Sequence, residues 1–519
     1  MDFRYGIDHL TSGIALKISR RKVKGIFTVE ARTLVEQCAQ RVQSITLSDE
    51  PVYGINTGFG PLCTTIIQKE ELNHLQENIL RSHSVGVGKS LSTETSRLMI
   101  ILKVHSLCKG YSGIRPLVID RLLWMLEAGI TPIVPSKGSV GASGDLAPLA
   151  HLFLPLIGEG EVEFNDELKP IMEVLQLFNL GPLELAPKEG LALINGTQFI
   201  LAHAVQLIEQ FHHILTYADI SGAIMVEALK GSASPFMPDL HRLRPFKGNQ
   251  HVADRLWTLI KDSEINCSHV SCGKVQDPYS LRCIPQVHGA SRDSWLHLKE
   301  RVEVELNSVT DNPIILPDGT TVSGGNFHGQ PLAISIDYAT VAISEIGNIS
   351  DRRIYLSIMG NDEGVPTLLL KETGVNSGFM ILQYTSAALA SENKSLCFPA
   401  SADSIPTSLG QEDHVSMGSI SSRKALEVAE NVKDILAIEL LCAVQALDYA
   451  DPLKPHPILS GLHQLIRKHV KYADEDRYFG KDIKRVKSLI DQSVIINYIE
   501  ENDQYEDIRT PYNDLFEVY

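Results

Sequence analysis

The sequence predicts a mainly α protein, a long-helix bundle preceded by a mixed region of short helices and Gly-rich loops. Two observations carry that prediction: three segments hold a helical apolar period over unusual lengths, and strand signals are sparse. In the first segment, Leu201, Ala204, Val205, Ile208, Phe211, Leu215 and Ala218 fall on one stripe of a helix that begins near Gln198. The second runs from Leu332 towards Met359 and stops at Gly360. The third spans Ser421 to Leu447, where Ala425, Val428, Ala429, Val432 and Ile435 form a stripe and residues 435–447 turn apolar on nearly every side. A helix that is apolar all round is an interior one, walled by other helices or by other subunits. At about 1.5 Å per residue, roughly 25–30 residues span on the order of 40 Å, enough for the backbone of a bundle. Only Glu161 to Phe164 and the Pro-Asp-Gly turn at Pro317 to Gly319 read as hairpin pieces. The long periods dominate from Ile114 onward, which sets an expected division into residues 1–112 and 113–519.

Composition excludes several function classes. The 519 residues carry 47 Lys+Arg against 63 Asp+Glu, a formal charge of −16, with no long basic run, so a protein built to bind nucleic acid is not expected. The start, MDFRYGIDHL, lacks a basic stretch followed by an apolar one, which points to a cytoplasmic protein. The longest apolar stretch, Leu146 to Ile157, is interrupted by His151 and two prolines and is too short to cross a bilayer, so no membrane partner is expected. Eight cysteines lie scattered without a C-x-x-C pair, which reads as buried free thiols and not as a disulfide frame or zinc site. Residues 488–519 hold eight acidic residues and one arginine, Arg509, and are expected to form a solvated surface segment.

Two motifs are decoys. His83 to Ser90, HSVGVGKS, ends like a phosphate-binding loop, but His83 stands where the first glycine belongs, and a polar helix precedes it where a buried strand should. Ser143 in GASGD is not a nucleophile elbow, because the second glycine comes one place too soon.

The chemistry concentrates in residues 138–151, GSVGASGDLAPLAH: small residues, then Asp145, then an apolar segment able to start a helix. Within Ala142-Ser143-Gly144, a glycine amide free of side-chain hindrance could attack the carbonyl two residues back if the turn were forced tight. Loss of two waters, the second from the serine, then leaves a C=C conjugated to a five-membered ring. That product is an electrophile, which none of the twenty side chains is, so a protein needing an electron sink must borrow a cofactor or make one from its backbone.

This string resembles the signature of the aromatic amino acid ammonia-lyases, which carry a self-made 4-methylidene-imidazol-5-one (MIO). The resemblance extends to YGINTGFG (Tyr53 to Gly60), LINGTQ (Leu193 to Gln198), QDPYSLR (Gln276 to Arg282), GGNFHG (Gly324 to Gly329) and SIPTSLGQEDHVSMG (Ser404 to Gly418), in family order. It implies a mostly helical homotetramer with each active site built from three subunits, the electrophile at converging helix N-termini, and no external cofactor. No metal is expected either, since the sequence has no H-E-x-x-H and no paired cysteine ligands.

By that resemblance Tyr53 is the base for the β-proton, and its phenol, ordinarily near pKa 10, needs positive surroundings to work near neutrality. Arg282 offers a planar fork to the substrate carboxylate. Asn195, which Leu193 and Ile194 suggest is buried, contacts the carboxylate and positions the ring; Tyr279 hydrogen-bonds near it, Gln276 is a pocket contact and Phe327 packs alongside. At the family's selectivity pair this chain has Ser82-His83, the histidine-type pattern, so His83 is the expected imidazole contact. Glu412 would hold the ring nitrogen and is a second candidate base, because a buried imidazole needs both its nitrogens matched. The implied reaction is elimination of ammonia from L-histidine to trans-urocanate. A tyrosine or phenylalanine lyase, or an aminomutase using the same group, is the alternative, and a helical assembly protein lacking the ring is the alternative of a different class. Ile284 and His288 depart from the pattern of many relatives, where Gln and an apolar residue are expected, so packing behind the site is expected to differ.

Overall fold

A computed structural model of the chain describes residues 2–47, 51–269, 275–361, 364–502 and 505–519. The three long periods become the helices Gln198–Ala228, Gln330–Met359 and Gly418–Leu447, which pack together and are joined by a fourth, Ile284–Leu306. Their inward stripes form one hydrophobic core that runs from Phe3 to Phe516. Residues 435–447 are buried throughout, as a stretch apolar on nearly every side requires, with Glu439 and Gln445 the polar exceptions. Strands are short: Glu161–Phe164 pairs with Glu167–Pro170, and Ile314–Ile315 pairs with Thr321–Val322 across the Pro-Asp-Gly turn. Leu146 to Ile157 folds as the short helix Leu146–Phe153 followed by a 3₁₀ turn. Among the described residues no helix is long and apolar enough to cross a membrane. The false phosphate loop is an exposed strand, Val87–Ser90, paired antiparallel with Pro135–Lys137.

Charged groups cross the middle of the bundle in pairs. Arg353 and Glu439, both fully buried, form an ion pair that Ser221 Oγ completes by donating to Glu439 at 2.8 Å. Asp219 accepts from Arg292 Nη2 at 2.5 Å and lies 2.8 Å from His288 Nδ1, and the Arg292 charge with the His288 hydrogen bond holds its carboxyl well below the usual range despite burial. Removing one member of such a pair leaves an uncompensated charge in the core. Arg353→Met is therefore expected to destabilise the protein by about 3–5 kcal/mol, read from its denaturant midpoint, and the double variant Arg353→Met/Glu439→Leu to recover most of that.

The acidic tail exposes most of its described carboxylates, as expected, but it is also docked on the bundle. Its described residues form the helices Val494–Glu500 and Asn513–Phe516, with Ile495, Ile499 and Phe516 buried. Glu517 accepts from Arg255 at 2.9 Å and Arg292 at 3.3 Å and lies 2.8 Å from His251 Nε2. The charge count along the tail gives no sign of this anchor, because the cations that meet Glu517 sit on the bundle, far away in sequence.

Candidate active site

The loop preceding the Leu146–Phe153 helix is clamped by the starts of two long helices. Asp145, fully buried, accepts from the backbone N–H groups of Phe199 and Ile200 at 3.1 and 3.0 Å, capping the Gln198–Ala228 helix from outside. Burial pushes its carboxyl up to about 7, against these donors and Ser139. On the other side, Ser416 Oγ donates to the Gly141 carbonyl at 3.1 Å, Met417 N–H to Val140 at 2.9 Å and Ser419 Oγ to Ser139 at 2.5 Å, all at the N-terminus of the Gly418–Leu447 helix. Three helix N-termini thus converge on residues 138–145, as the resemblance implied.

This clamp holds residues 142–144 in a tight turn. Ala142 and Gly144 form a bridge across Ser143, and Gly144 takes φ +76°. A side chain at Gly144 would meet the Gly196 carbonyl at 2.1 Å, so glycine is required there for space as well as for conformation. Ser143 Oγ donates to Glu412 Oε1 at 2.7 Å, and the Ser143 carbonyl faces Asn195 Nδ2 at 3.4 Å and Gly196 N–H at 3.5 Å. Asn195 Oδ1 is buried and has no hydrogen-bond partner among the described residues. A closed turn, a serine hydroxyl on a carboxylate and a buried acceptor left unfilled together fit an imidazolone formed from this tripeptide.

Tyr53, Ser82, His83, Ser143, Asn195 and Glu412 line one cavity of about 820 Å³. Glu412 is held from behind by Thr407 Oγ1 at 2.9 Å and Ser408 Oγ at 3.0 Å. Ser82 Oγ lies 2.9 Å from His83 Nδ1, and burial lowers the imidazole pKa. The Tyr53 hydroxyl accepts from Gly60 N–H at 3.2 Å. Its surroundings differ from those expected: burial raises the phenol pKa, the Gly60 amide lowers it, and Glu412 raises it further.

Four predicted residues lie elsewhere. Gln276 and Arg282 line a second cavity of about 740 Å³ with Asp277, where Arg282 Nε donates to the Asp277 carbonyl at 3.0 Å. The Arg282 guanidinium stacks 4.6 Å over the Tyr279 ring, which is 70% exposed. Phe327 is half-buried ahead of the Gln330–Met359 helix and lines neither cavity. A single chain does not bring Arg282 into the cavity that Ser143 lines. The departures at Ile284 and His288 are buried, the first against Gly222 and the second on Asp219, so they belong to the bundle interior. Sequence reasoning missed Lys103, whose Nζ donates to the Asn195 carbonyl at 2.5 Å; the signal was a lone cation inside the apolar run LMIILKV.

The model for the family described as "Aromatic amino acid lyase" matches residues 10–468. The chain is 46% identical over 495 residues to a histidine ammonia-lyase of Aliivibrio fischeri (strain MJ11), covering 94% of this chain and 97% of that one. It is 44% identical over 482 residues to a histidine ammonia-lyase of Myxococcus xanthus (strain DK1622), covering 93% and 95%. Among solved structures, the histidine ammonia-lyase from Trypanosoma cruzi superposes with a TM-score of 0.90 at 40% identity, covering 100% of this chain and 98% of the other. The tyrosine aminomutase from Streptomyces globisporus does so with a TM-score of 0.91 at 32% identity, covering 97% and 99%.

Proposed function

The chain belongs to the aromatic amino acid lyase family, and on that premise we propose that it eliminates ammonia from L-histidine to give trans-urocanate, using an MIO group formed from Ala142-Ser143-Gly144. The observation that carries the substrate choice is one cavity holding Ser143 together with His83 and Glu412, two polar groups able to match the two ring nitrogens of an imidazole. A cavity meant for a benzene ring would gain nothing from burying either.

When formed, the imidazolone supplies the electron sink that side chains lack. Tyr53, anchored by the Gly60 amide, takes the β-proton, with Glu412 as the other candidate base. His83 contacts the substrate ring and Glu412 receives its N–H. Asn195 turns Nδ2 towards the Ser143 carbonyl and keeps Oδ1 for a donor from the site.

Arg282, Tyr279 and Gln276 serve the site of another copy in a homotetramer, where Arg282 binds the substrate carboxylate and Phe327 packs beside the ring. The separation of the two cavities on one chain supports this. So do Ile334, Tyr338 and Val341, which leave an apolar stripe 44–55% exposed along the Gln330–Met359 helix; bundle helices expose such stripes when another subunit covers them.

Incubation with L-histidine, L-tyrosine and L-phenylalanine, following conjugated product and free ammonia, tests the reading. Urocanate from histidine supports it; a β-amino acid without ammonia supports an aminomutase; an unmodified intact mass in an inert protein supports a scaffold. His83→Leu is expected to raise KM for L-histidine about tenfold to a hundredfold, since an unmatched ring nitrogen costs about 1–3 kcal/mol. Steady-state urocanate formation measures it.

A further inference from the structure

Lys103 is a buried lysine that none of the roles above uses. It lies on the Thr93–Leu107 helix, 2% exposed, and a lysine is rarely buried without a specific partner. Its Nζ donates to the Asn195 carbonyl oxygen at 2.5 Å and lies 3.5 Å from Gln198 Oε1.

The Asn195 carbonyl shares its peptide plane with Gly196 N–H. In a planar trans peptide the C=O and N–H point in opposite directions, so a donor fixed on the oxygen also fixes where the N–H is aimed. Here it is aimed at the Ser143 carbonyl oxygen, 3.5 Å away, and Asn195 Nδ2 approaches the same oxygen at 3.4 Å. On the far side of Gly196, its own carbonyl accepts from Asp145 N–H at 2.8 Å. Gly196 has φ +128°, a conformation with little intrinsic preference for one orientation, so outside contacts must hold the peptide in place. A carbonyl that accepts a hydrogen bond also makes its peptide N–H a stronger donor.

We propose that Lys103 is a positioning residue for the elimination: through the Asn195 carbonyl it holds the Asn195–Gly196 peptide so that two N–H donors face the Ser143 carbonyl oxygen. The inference rests on the MIO-dependent reading above, because that oxygen belongs to the tripeptide that would carry the electron sink. Donors aimed at an oxygen next to a reacting centre act on the rate of the chemical step more than on substrate affinity.

The test compares the full-length protein with Lys103→Met, which keeps the length and removes the donor, and Lys103→Gln, which keeps a donor on a shorter arm. Three quantities are read: the fraction of chains that have lost two waters by intact mass, kcat and KM per dehydrated chain, and amide hydrogen exchange over residues 194–198. Lys103→Met is expected to lower kcat per dehydrated chain by about tenfold or more, to leave KM within about threefold, and to speed Gly196 exchange about tenfold. Lys103→Gln should fall between it and the parent. A Lys103→Met protein with parental kcat and exchange, or one that loses affinity and keeps kcat, overturns the proposal. If Lys103→Met does not fold, Lys103→Gln decides by the same two criteria. A parent protein that keeps its waters and ignores histidine refutes the proposed function, and the exchange comparison then still decides whether Lys103 holds the peptide.

Discussion

Replacing Ser143 by alanine is expected to leave a folded protein whose intact mass lacks the loss of two waters and whose ammonia release from L-histidine falls by roughly 10³-fold or more, about 4 kcal/mol of barrier. The hydroxyl is the group that departs to create the alkene, and alanine has none to lose. The folding cost should be small, because the change removes one half-exposed hydrogen bond, from Ser143 Oγ to Glu412, worth about 1 kcal/mol. The turn itself is held by Gly144, Gly196 and the Ser416 clamp, none of which is altered. Mass spectrometry with a thermal melt therefore separates loss of chemistry from loss of structure. Full activity in Ser143→Ala would refute the mechanism outright.

The second large effect is expected at Tyr53. Phenylalanine there keeps the packing and removes the hydroxyl, so kcat should fall by roughly 10²–10⁴ while KM changes little. The pH dependence follows from the direction of the phenol's shift. Burial, with a smaller contribution from Glu412, raises its pKa above the ordinary value, while the Gly60 amide opposes this. A base works only when unprotonated, so kcat/KM of the parent should climb through neutrality into the alkaline range, and Tyr53→Phe should flatten that climb. If Tyr53→Phe keeps the parental rate and its climb while Glu412→Gln loses the rate, the carboxylate is the base. Rate profiles of the three proteins on L-histidine distinguish the two.

Much of the fold was legible because long helices announce themselves by period. Gln198, Leu332 to Gly360 and Ser421 to Leu447 each fall at or within a few residues of the helix limits observed. The apolar residues 435–447 were recognisable as interior for the same reason. The docking of the tail was missed because Glu517 has its partners, Arg255, Arg292 and His251, on helices more than two hundred positions earlier. Local charge counting has no access to pairs of that separation. Half of the candidate site was legible as motif: Tyr53, His83, Ser143, Asn195 and Glu412 do meet in one cavity. Lys103 was not, since a single lysine in an apolar run has no meaning until the carbonyl it serves is known.

The sequence alone determined the helical class, a matter of residue type and short-range period, while the Ala142-Ser143-Gly144 string and the pair His83 and Glu412 were legible through their resemblance to the family's motifs. Only the tertiary structure decided that the tripeptide's turn is closed from two sides, by Asp145 on one helix start and Ser416 on another. It alone also placed Gln276 and Arg282 in a different cavity from Ser143 on the same chain. The reason is one of distance along the chain: a turn held by groups fifty and two hundred and seventy residues away depends on packing, and packing is a property of the folded chain as a whole.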